Sequence, residues 1–229
     1  TQPDGLALTM PDASAFAEPV REAIAAGIPV VVLNTGEEIA GEIGALNYVG
    51  QSEYRAGKMA GERMKEAGVE SPICINFAPG QSQLDARCKG FTDAFDGSAE
   101  QISTTQDPTA ITNAVLAHLN SSPDTDGVLS LGSLATDPLI NEFRSQGAMG
   151  QIAFATFDLS AETLEAVRDG EMLFAMDQQQ YLQGYLPIIS LALYNRYGLK
   201  PTNNIQTGPN FITQENAEQV IELTQQGYR

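Results

Sequence analysis

Short apolar runs alternate with amphipathic helical stretches along nearly the whole chain, and this alternation limits the fold more than any other feature. The clearest runs are residues 30–33 (VVVL), 73–77 (ICINF), 127–131 (GVLSL) and 152–157 (IAFATF). Between the runs, apolar side chains recur at helical spacing, as for Phe16, Val20 and Ile24. Because strands that alternate with helices of this length form βαβ units, the pattern predicts an α/β fold with parallel sheets covered on both faces.

The number of predicted strands is too large for one small sheet, and the series starts again near Gly50. Two doubly wound lobes are therefore predicted. The run at residues 172–176 is expected to close the strand series. The most apolar stretch, residues 182–194, contains polar residues and is shorter than the roughly 18–20 residues of a membrane span, so it predicts a buried helix.

The charge balance excludes one large class of partners. Twelve basic and 29 acidic residues give a formal net charge of −17. A nucleic-acid-binding surface needs a basic patch, so no nucleic-acid partner is expected. The acidic composition suits a protein that stays soluble at high concentration or in a salty habitat, or it is simply a solvated acidic surface.

The two cysteines, Cys74 and Cys88, are close in sequence. Such a pair fits one disulfide formed in an oxidising compartment, and two buried free thiols are the alternative. No metal site is predicted, because the single histidine, His118, is far from both cysteines in sequence.

Motifs for catalysis or cofactor binding are absent from the sequence. It contains no glycine-rich dinucleotide turn, no phosphate loop, no Gly-x-Ser-x-Gly nucleophile elbow and no His-Glu-x-x-His zinc motif. The sequence therefore favours a binding protein without a cofactor over an enzyme.

Polar side chains follow the predicted strands, where ligands of doubly wound sheets bind. The candidates are Asn34, Arg87, Ser133, Asp158, Asp177 and Gln178. Planar amide, carboxylate and guanidinium groups suit the paired hydroxyls of a sugar. The alternative for the Asn and Asp residues is that each caps the following helix, but Arg87 and Gln178 are not capping residues.

Several motifs together resemble the ribose-type (type I) periplasmic binding proteins, and the resemblance spans nearly the whole chain. They are residues 4–12 (DGLALTMPD), 25–34 (AAGIPVVVLN), 49–57 (VGQSEYRAG), 87–91 (RCKGF), 156–158 (TFD) and 175–179 (AMDQQ). The resemblance implies two lobes joined by a multi-strand hinge and closing on a monosaccharide or sugar-like polyol in the cleft between them. It also implies delivery to the membrane permease of an ABC importer, and a location in the periplasm or tethered outside a Gram-positive cell.

The resemblance assigns roles residue by residue. Asn34 stands at the first-lobe sugar ligand, Arg87 at the second-lobe arginine, Asp158 at the acidic ligand and Gln178 at the hinge-side glutamine. Many members have an asparagine where this chain has Gly132, so the resemblance implies that this contact is missing or comes from Ser133. Asp177 begins the stretch 177–185 (DQQQYLQGY), which is similar to a branch of sugar receptors with varied ligands.

By the same resemblance, the first lobe comprises residues 1–50 and 179–208, and the second comprises residues 51–178 and 209–229. Family members begin with two more βα units, so the resemblance predicts an N-terminally truncated first lobe. A dimer formed through that incomplete lobe is one expected compensation.

Two other functions share the predicted fold: the effector domain of a sugar-responsive transcriptional repressor and the extracellular sensor domain of a signalling protein. The negative charge and the cysteine pair favour an exported receptor over the repressor. The sequence does not specify which sugar is bound.

Overall fold

A computed structural model describes residues 2–229. The strands are β1 Leu6–Leu8, β2 Val30–Asn34, β3 Tyr48–Gly50, β4 Pro72–Asn76, β5 Glu100–Ser103, β6 Gly127–Ser130, β7 Ala153–Phe157, β8 Phe174–Asp177, β9 Ile205–Gln206 and β10 Asn210–Ile212. The helices are α1 Ala13–Ala25, α2 Glu37–Ala40, α3 Glu53–Glu66, α4 Ser82–Ala94, α5 Pro108–Ser121, α6 Ser133–Gln146, α7 Ala161–Arg168, α8 Gln180–Tyr197 and α9 Ala217–Gln225.

The chain divides into two compact units, and the first contains the residues up to Ser52 together with Gln178–Gly208. Its sheet has the strand order β1-β2-β3-β9, with every pair parallel. Alternate residues of a strand point to opposite faces. Val30 and Val32 therefore pack with α1 and α2, whereas Val31 packs under Leu191 of α8.

The second unit contains Glu53–Asp177 and Pro209–Arg229. Its sheet has the order β10-β8-β7-β6-β4-β5, in which only β10 runs antiparallel to its neighbour. One face is buried by α5, α6, α7 and α9, and the other by α3 and α4. The predicted α/β fold of alternating βα units with parallel sheets is confirmed.

The expectation that residues 172–176 close the strand series is wrong, because β9 and β10 follow. Both strands are only two or three residues long, and they lack the apolar run that predicted the others. Strand β5 escaped prediction for a related reason. It lies at the edge of the sheet, and three of its four residues are exposed, so its sequence EQIS carries little apolar signal.

The prediction that residues 182–194 form a helix is confirmed, but the prediction that this helix is buried is wrong. The buried stripe of α8 consists of Gln183, Pro187, Ser190 and Leu191, which share one helix face. The polar interruptions therefore face the sheet, whereas Tyr185, Ile188 and other apolar side chains are exposed. Within residues 2–229, no helix has both the length and the apolar character that crossing a membrane requires.

Helices α3 and α4 pack with their backbones in contact, and two glycines permit this. A Cβ atom on Gly57 would lie 2.0 Å from the carbonyl oxygen of Arg87, and one on Gly90 would lie 2.0 Å from that of Tyr54. Any larger residue at either position would force the helices apart. The close approach brings the first turn of α3, with Glu53, against the middle of α4, with Arg87.

Candidate ligand-binding site

Three of the predicted strand ends carry a left-handed backbone at a residue other than glycine. Asn34 ends β2 with a φ of 61°, Asp158 follows β7 with 66°, and Gln179 lies two residues beyond β8 with 54°. Among residues 2–229 only Asp96 shares this conformation outside glycine. Since such conformations are uncommon outside glycine and concentrate at functional sites, the backbone gives a second indication, beside the polar side chains, that these strand ends are functional.

The structure tests the capping alternative at two of these positions. Helix α7 has Ser160 as its N-cap, with its hydroxyl accepting from the N–H of Thr163, so Asp158 is not the cap. Helix α2 begins after Gly36, so Asn34 is not a cap either. By contrast, Asp107 does cap α5.

In the first unit, Asn34 lies in a network of neutral amides. Its Nδ2 donates to Oε1 of Gln183 at 3.0 Å and to Oε1 of Gln178 at 3.3 Å. Gln183 in turn donates to the Gln178 backbone at 3.1 Å and to the Thr207 hydroxyl at 3.1 Å. Both glutamines are buried, so this network has a defined geometry that can present amide groups to a hydroxyl-bearing ligand.

Tyr48 supports the network through hydrogen bonds to the backbone. Its hydroxyl lies 2.6 Å from the Asn34 carbonyl oxygen and 3.0 Å from that of Gln51, and the residue is fully buried. Gly50 makes room for the ring, because a Cβ there would lie 2.1 Å from the Tyr48 hydroxyl. The backbone of Asn34 is thus held by a hydrogen bond as well as by the strand.

In the second unit, Arg87 is held by a carboxylate. Its Nε donates to Oε2 of Glu53 at 2.6 Å, and its Nη2 donates to Oε1 at 3.0 Å. Its Nη1 donates to the carbonyl oxygen of Leu131 at 3.2 Å, and its guanidinium lies 4.3 Å from the centre of the Phe157 ring. The orientation of the guanidinium is therefore set by an ion pair, a carbonyl and an aromatic face.

Asp158 lies beside the beginning of α6. A Cβ on Gly132 would lie 3.5 Å from Oδ2 of Asp158 and 3.4 Å from the ring of Phe77, so this glycine leaves space between them. Ser133 is the first residue of α6, directly after Gly132. Leu131 and Phe157, which both contact the Arg87 guanidinium, directly precede Gly132 and Asp158, so Arg87, Ser133 and Asp158 lie at the same edge of the sheet.

Asp177 is placed differently from the other candidates. It ends β8 with 0 % exposure, and its carboxylate forms an ion pair with Arg229. Nδ2 of Asn210 donates to its backbone carbonyl at 3.3 Å. Its predicted contact with a ligand stays a prediction.

Cys74 and Cys88 form a disulfide that joins β4 to α4, and both residues are buried. Cys88 directly follows Arg87 in α4. The crosslink therefore anchors this helix to the sheet next to the residue whose guanidinium lies at the strand ends.

Sequence reasoning missed Glu53, Gln183, Thr207 and Tyr48. A signal existed for Gln183, which is a polar residue inside the most apolar stretch of the chain. No comparable signal existed for Glu53, whose partner Arg87 is 34 residues away and comes close only through the glycine contacts of α3 and α4.

Comparison with known proteins identifies relatives that are named for sugar binding or carbohydrate transport. The xylose/arabinose-binding protein of Sulfolobus acidocaldarius is 30% identical over 232 residues. A carbohydrate transporter from Acidothermus cellulolyticus, solved in complex with myo-inositol, matches with a TM-score of 0.91 and 34% identity, covering 99% of this chain and 79% of that one. A periplasmic sugar-binding protein of an ABC sugar transporter from Legionella pneumophila matches with a TM-score of 0.81 and 28% identity, covering 90% of this chain and 78% of that one.

The alignment to the Sulfolobus protein covers 94% of this chain but only 58% of the relative. The match to the family described as periplasmic binding protein domain extends over residues 1–195. That range includes both sheets apart from the two short strands β9 and β10, and nearly all of the strand-end residues described above. The chain belongs to the periplasmic binding protein domain family.

Proposed function

We propose that this protein is a receptor that captures a monosaccharide or a cyclic polyol and delivers it to an ABC importer. The observation that carries the proposal is the set of planar hydrogen-bonding side chains at strand ends, two of which, Asn34 and Asp158, occupy a strained left-handed backbone. Amides and carboxylates fixed in this way match the alternating donors and acceptors of vicinal hydroxyls.

Two relatives support the ligand class. The Sulfolobus relative is named for xylose and arabinose, and the Acidothermus structure contains myo-inositol. All three compounds are neutral rings with several adjacent hydroxyls. We assign direct contacts with such a ring to Asn34 and Gln178 of the first unit and to Arg87, Ser133 and Asp158 of the second.

The family supports the proposed setting, because its members bind solutes rather than transform them. We place the protein in the periplasm or at the outer cell surface, with the permease of an ABC transporter as its partner. The disulfide is consistent with an oxidising compartment.

The test is a thermal melting screen with D-xylose, L-arabinose, D-ribose, D-glucose and myo-inositol, followed by calorimetric titration of each compound that raises the Tm. A ligand at 100 times its Kd stabilises the folded protein by about 2.7 kcal/mol, which is a readily measured shift. Asp158→Ala should abolish the shift. Asp124→Ala, in an exposed turn before β6, should leave it unchanged. Equal shifts in both variants would remove Asp158 from the site.

A further inference from the structure

The ion pair between Glu53 and Arg87 occupies the edge of the guanidinium that usually recognises a carboxylate. That edge consists of Nε and one Nη, and it forms paired parallel hydrogen bonds with the two oxygens of a carboxylate. Here both of those nitrogens donate to Glu53, at 2.6 and 3.0 Å. A ligand that carries its own carboxylate would have to displace Glu53 to use this edge.

Burial strengthens the electrostatic effect of Glu53 on Arg87. Arg87 is 3 % exposed and Glu53 is 9 % exposed. Charges interact more strongly in such surroundings than in water, so the glutamate largely cancels the field of the arginine at the neighbouring strand ends. The Leu131 carbonyl and the Phe157 ring then hold the guanidinium in one orientation next to Gly132 and Asp158.

We propose that Glu53 is a positioning and specificity-determining residue, which orients Arg87 for hydroxyl recognition and excludes sugars that carry a carboxylate. The proposal rests on the proposed function, because it concerns which members of the sugar class the same site accepts. Glu53 acts through Arg87 in this assignment.

Two matched pairs of sugars test the proposal. D-xylose and D-glucuronate have the same ring stereochemistry and differ by a carboxylate, and so do L-arabinose and D-galacturonate. The wild-type protein should bind each pentose more tightly than its uronate. In Glu53→Gln the charge of Arg87 is no longer balanced, so the ratio of uronate Kd to pentose Kd should fall by about tenfold or more.

Three further variants separate this effect from a general loss of structure. Glu171→Gln breaks a partly exposed ion pair with Arg144, at 2.6 Å and just before β8, at the opposite end of that strand from Asp177, and should leave the ratio unchanged. Glu53→Gln combined with Arg87→Gln removes both charges and should lose the gain in uronate binding. Glu53→Asp keeps the negative charge but retracts the carboxylate from Arg87. It should therefore weaken pentose binding without changing the ratio of uronate Kd to pentose Kd. This variant also provides a test if Glu53→Gln folds poorly.

The outcomes distinguish the two proposals. A lowered ratio that depends on Arg87 supports the role of Glu53. If the wild type binds a pentose but the ratio is unchanged in Glu53→Gln, the role of Glu53 is overturned and the receptor function stands. A lowered ratio in Glu53→Asp would have the same consequence. If the wild type binds none of the five neutral compounds of the screen, both proposals fail.

Discussion

The two units hold their strand-end side chains by different chemistry. In the first unit Asn34, Gln178, Gln183 and Thr207 form a network without a formal charge. In the second unit the corresponding edge, formed by the carboxyl ends of the strands, is held by ion pairs, Arg87 with Glu53 and Asp177 with Arg229. One sheet therefore presents neutral amides and hydroxyls, and the other presents charged groups whose partners are already in place.

This difference affects how each unit tolerates change. An amide has two donors and an acceptor with two lone pairs, so it can exchange partners without leaving a charge unbalanced. A buried ion has no such freedom, because removing its partner leaves an uncompensated charge in surroundings that solvate it poorly. We therefore expect the charged edge to be the more rigid and the more easily damaged of the two.

Loss of the arginine should have the largest effect. Arg87→Ala leaves Glu53 buried without its principal partner and should lower the free energy of unfolding by about 3–5 kcal/mol. Urea denaturation without ligand measures the loss, and hydrogen exchange should place it in peptides of the second unit. Arg87→Met combined with Glu53→Leu removes both charges and should recover most of the stability. A double variant as unstable as Arg87→Ala would show that the ion pair is not the cause.

Removal of the disulfide should come next. The Cys74–Cys88 bond closes a separation of 14 residues, for which the loss of crosslinking costs about 3 kcal/mol. Cys74→Ala with Cys88→Ala should therefore accelerate hydrogen exchange in β4 and α4, while peptides of the first unit keep their wild-type protection. Equal acceleration in both units would show that their stabilities are coupled. The two units would then differ in the chemistry of their strand ends but not in their tolerance of change.

The neutral network should show a smaller response to a single change. Gln183→Leu removes the hydrogen bonds from Gln183 to the Gln178 backbone and Thr207, and the acceptor of Asn34, at a cost of about 1–3 kcal/mol. Gln206→Leu, in the same unit but exposed, loses one surface hydrogen bond and should change stability by less than about 0.5 kcal/mol. A loss in Gln183→Leu as large as that in Arg87→Ala would contradict the distinction between neutral and charged edges.

The same contrast explains what the sequence revealed and what it did not. Strands β2, β4, β6 and β7 were predictable because they are buried on both sides and read as continuous apolar runs. Strands β5 and β9 are edge strands with few apolar residues. The buried face of α8 was also misread, because it is lined by the polar residues Gln183 and Ser190, and no sequence pattern displays the partner of Gln183, Thr207.

At the candidate site, the positions after strands were predictable because parallel topology collects strand ends at one edge. The partners of those positions were not. Glu53 meets Arg87 only because Gly57 and Gly90 let two helix backbones touch, and Thr207 meets Gln183 across 24 residues of chain. Partnerships of this kind depend on packing between elements, which a single sequence does not display.

The smallest predicted effect compares two surface aspartates, one in each unit. The Lys89 ammonium, at 2.6 Å, and the Tyr54 hydroxyl lower the pKa of Asp93 in the second unit. In the first unit the Ser14 hydroxyl and the Ala15 N–H, both uncharged, lower the pKa of Asp12. A carboxyl whose pKa is depressed by folding stabilises the protein at pH values above its unfolded-state pKa, which is near 3.9. This stabilisation disappears as the pH falls through the folded-state pKa.

Salt should separate these two aspartates. Raising the ionic strength from about 0.01 M to 1 M shortens the Debye length from about 30 Å to about 3 Å, which weakens the attraction of Lys89 for Asp93 but leaves hydrogen bonds from neutral donors in place. Titration followed by NMR should show the pKa of Asp93 rising toward its ordinary value in high salt while that of Asp12 changes less. Lys89→Met should reproduce the effect of salt on Asp93. Equal salt shifts at the two residues would mean that the charge of Lys89 contributes no more than a neutral donor does, and the contrast between the units would then be confined to their buried strand ends.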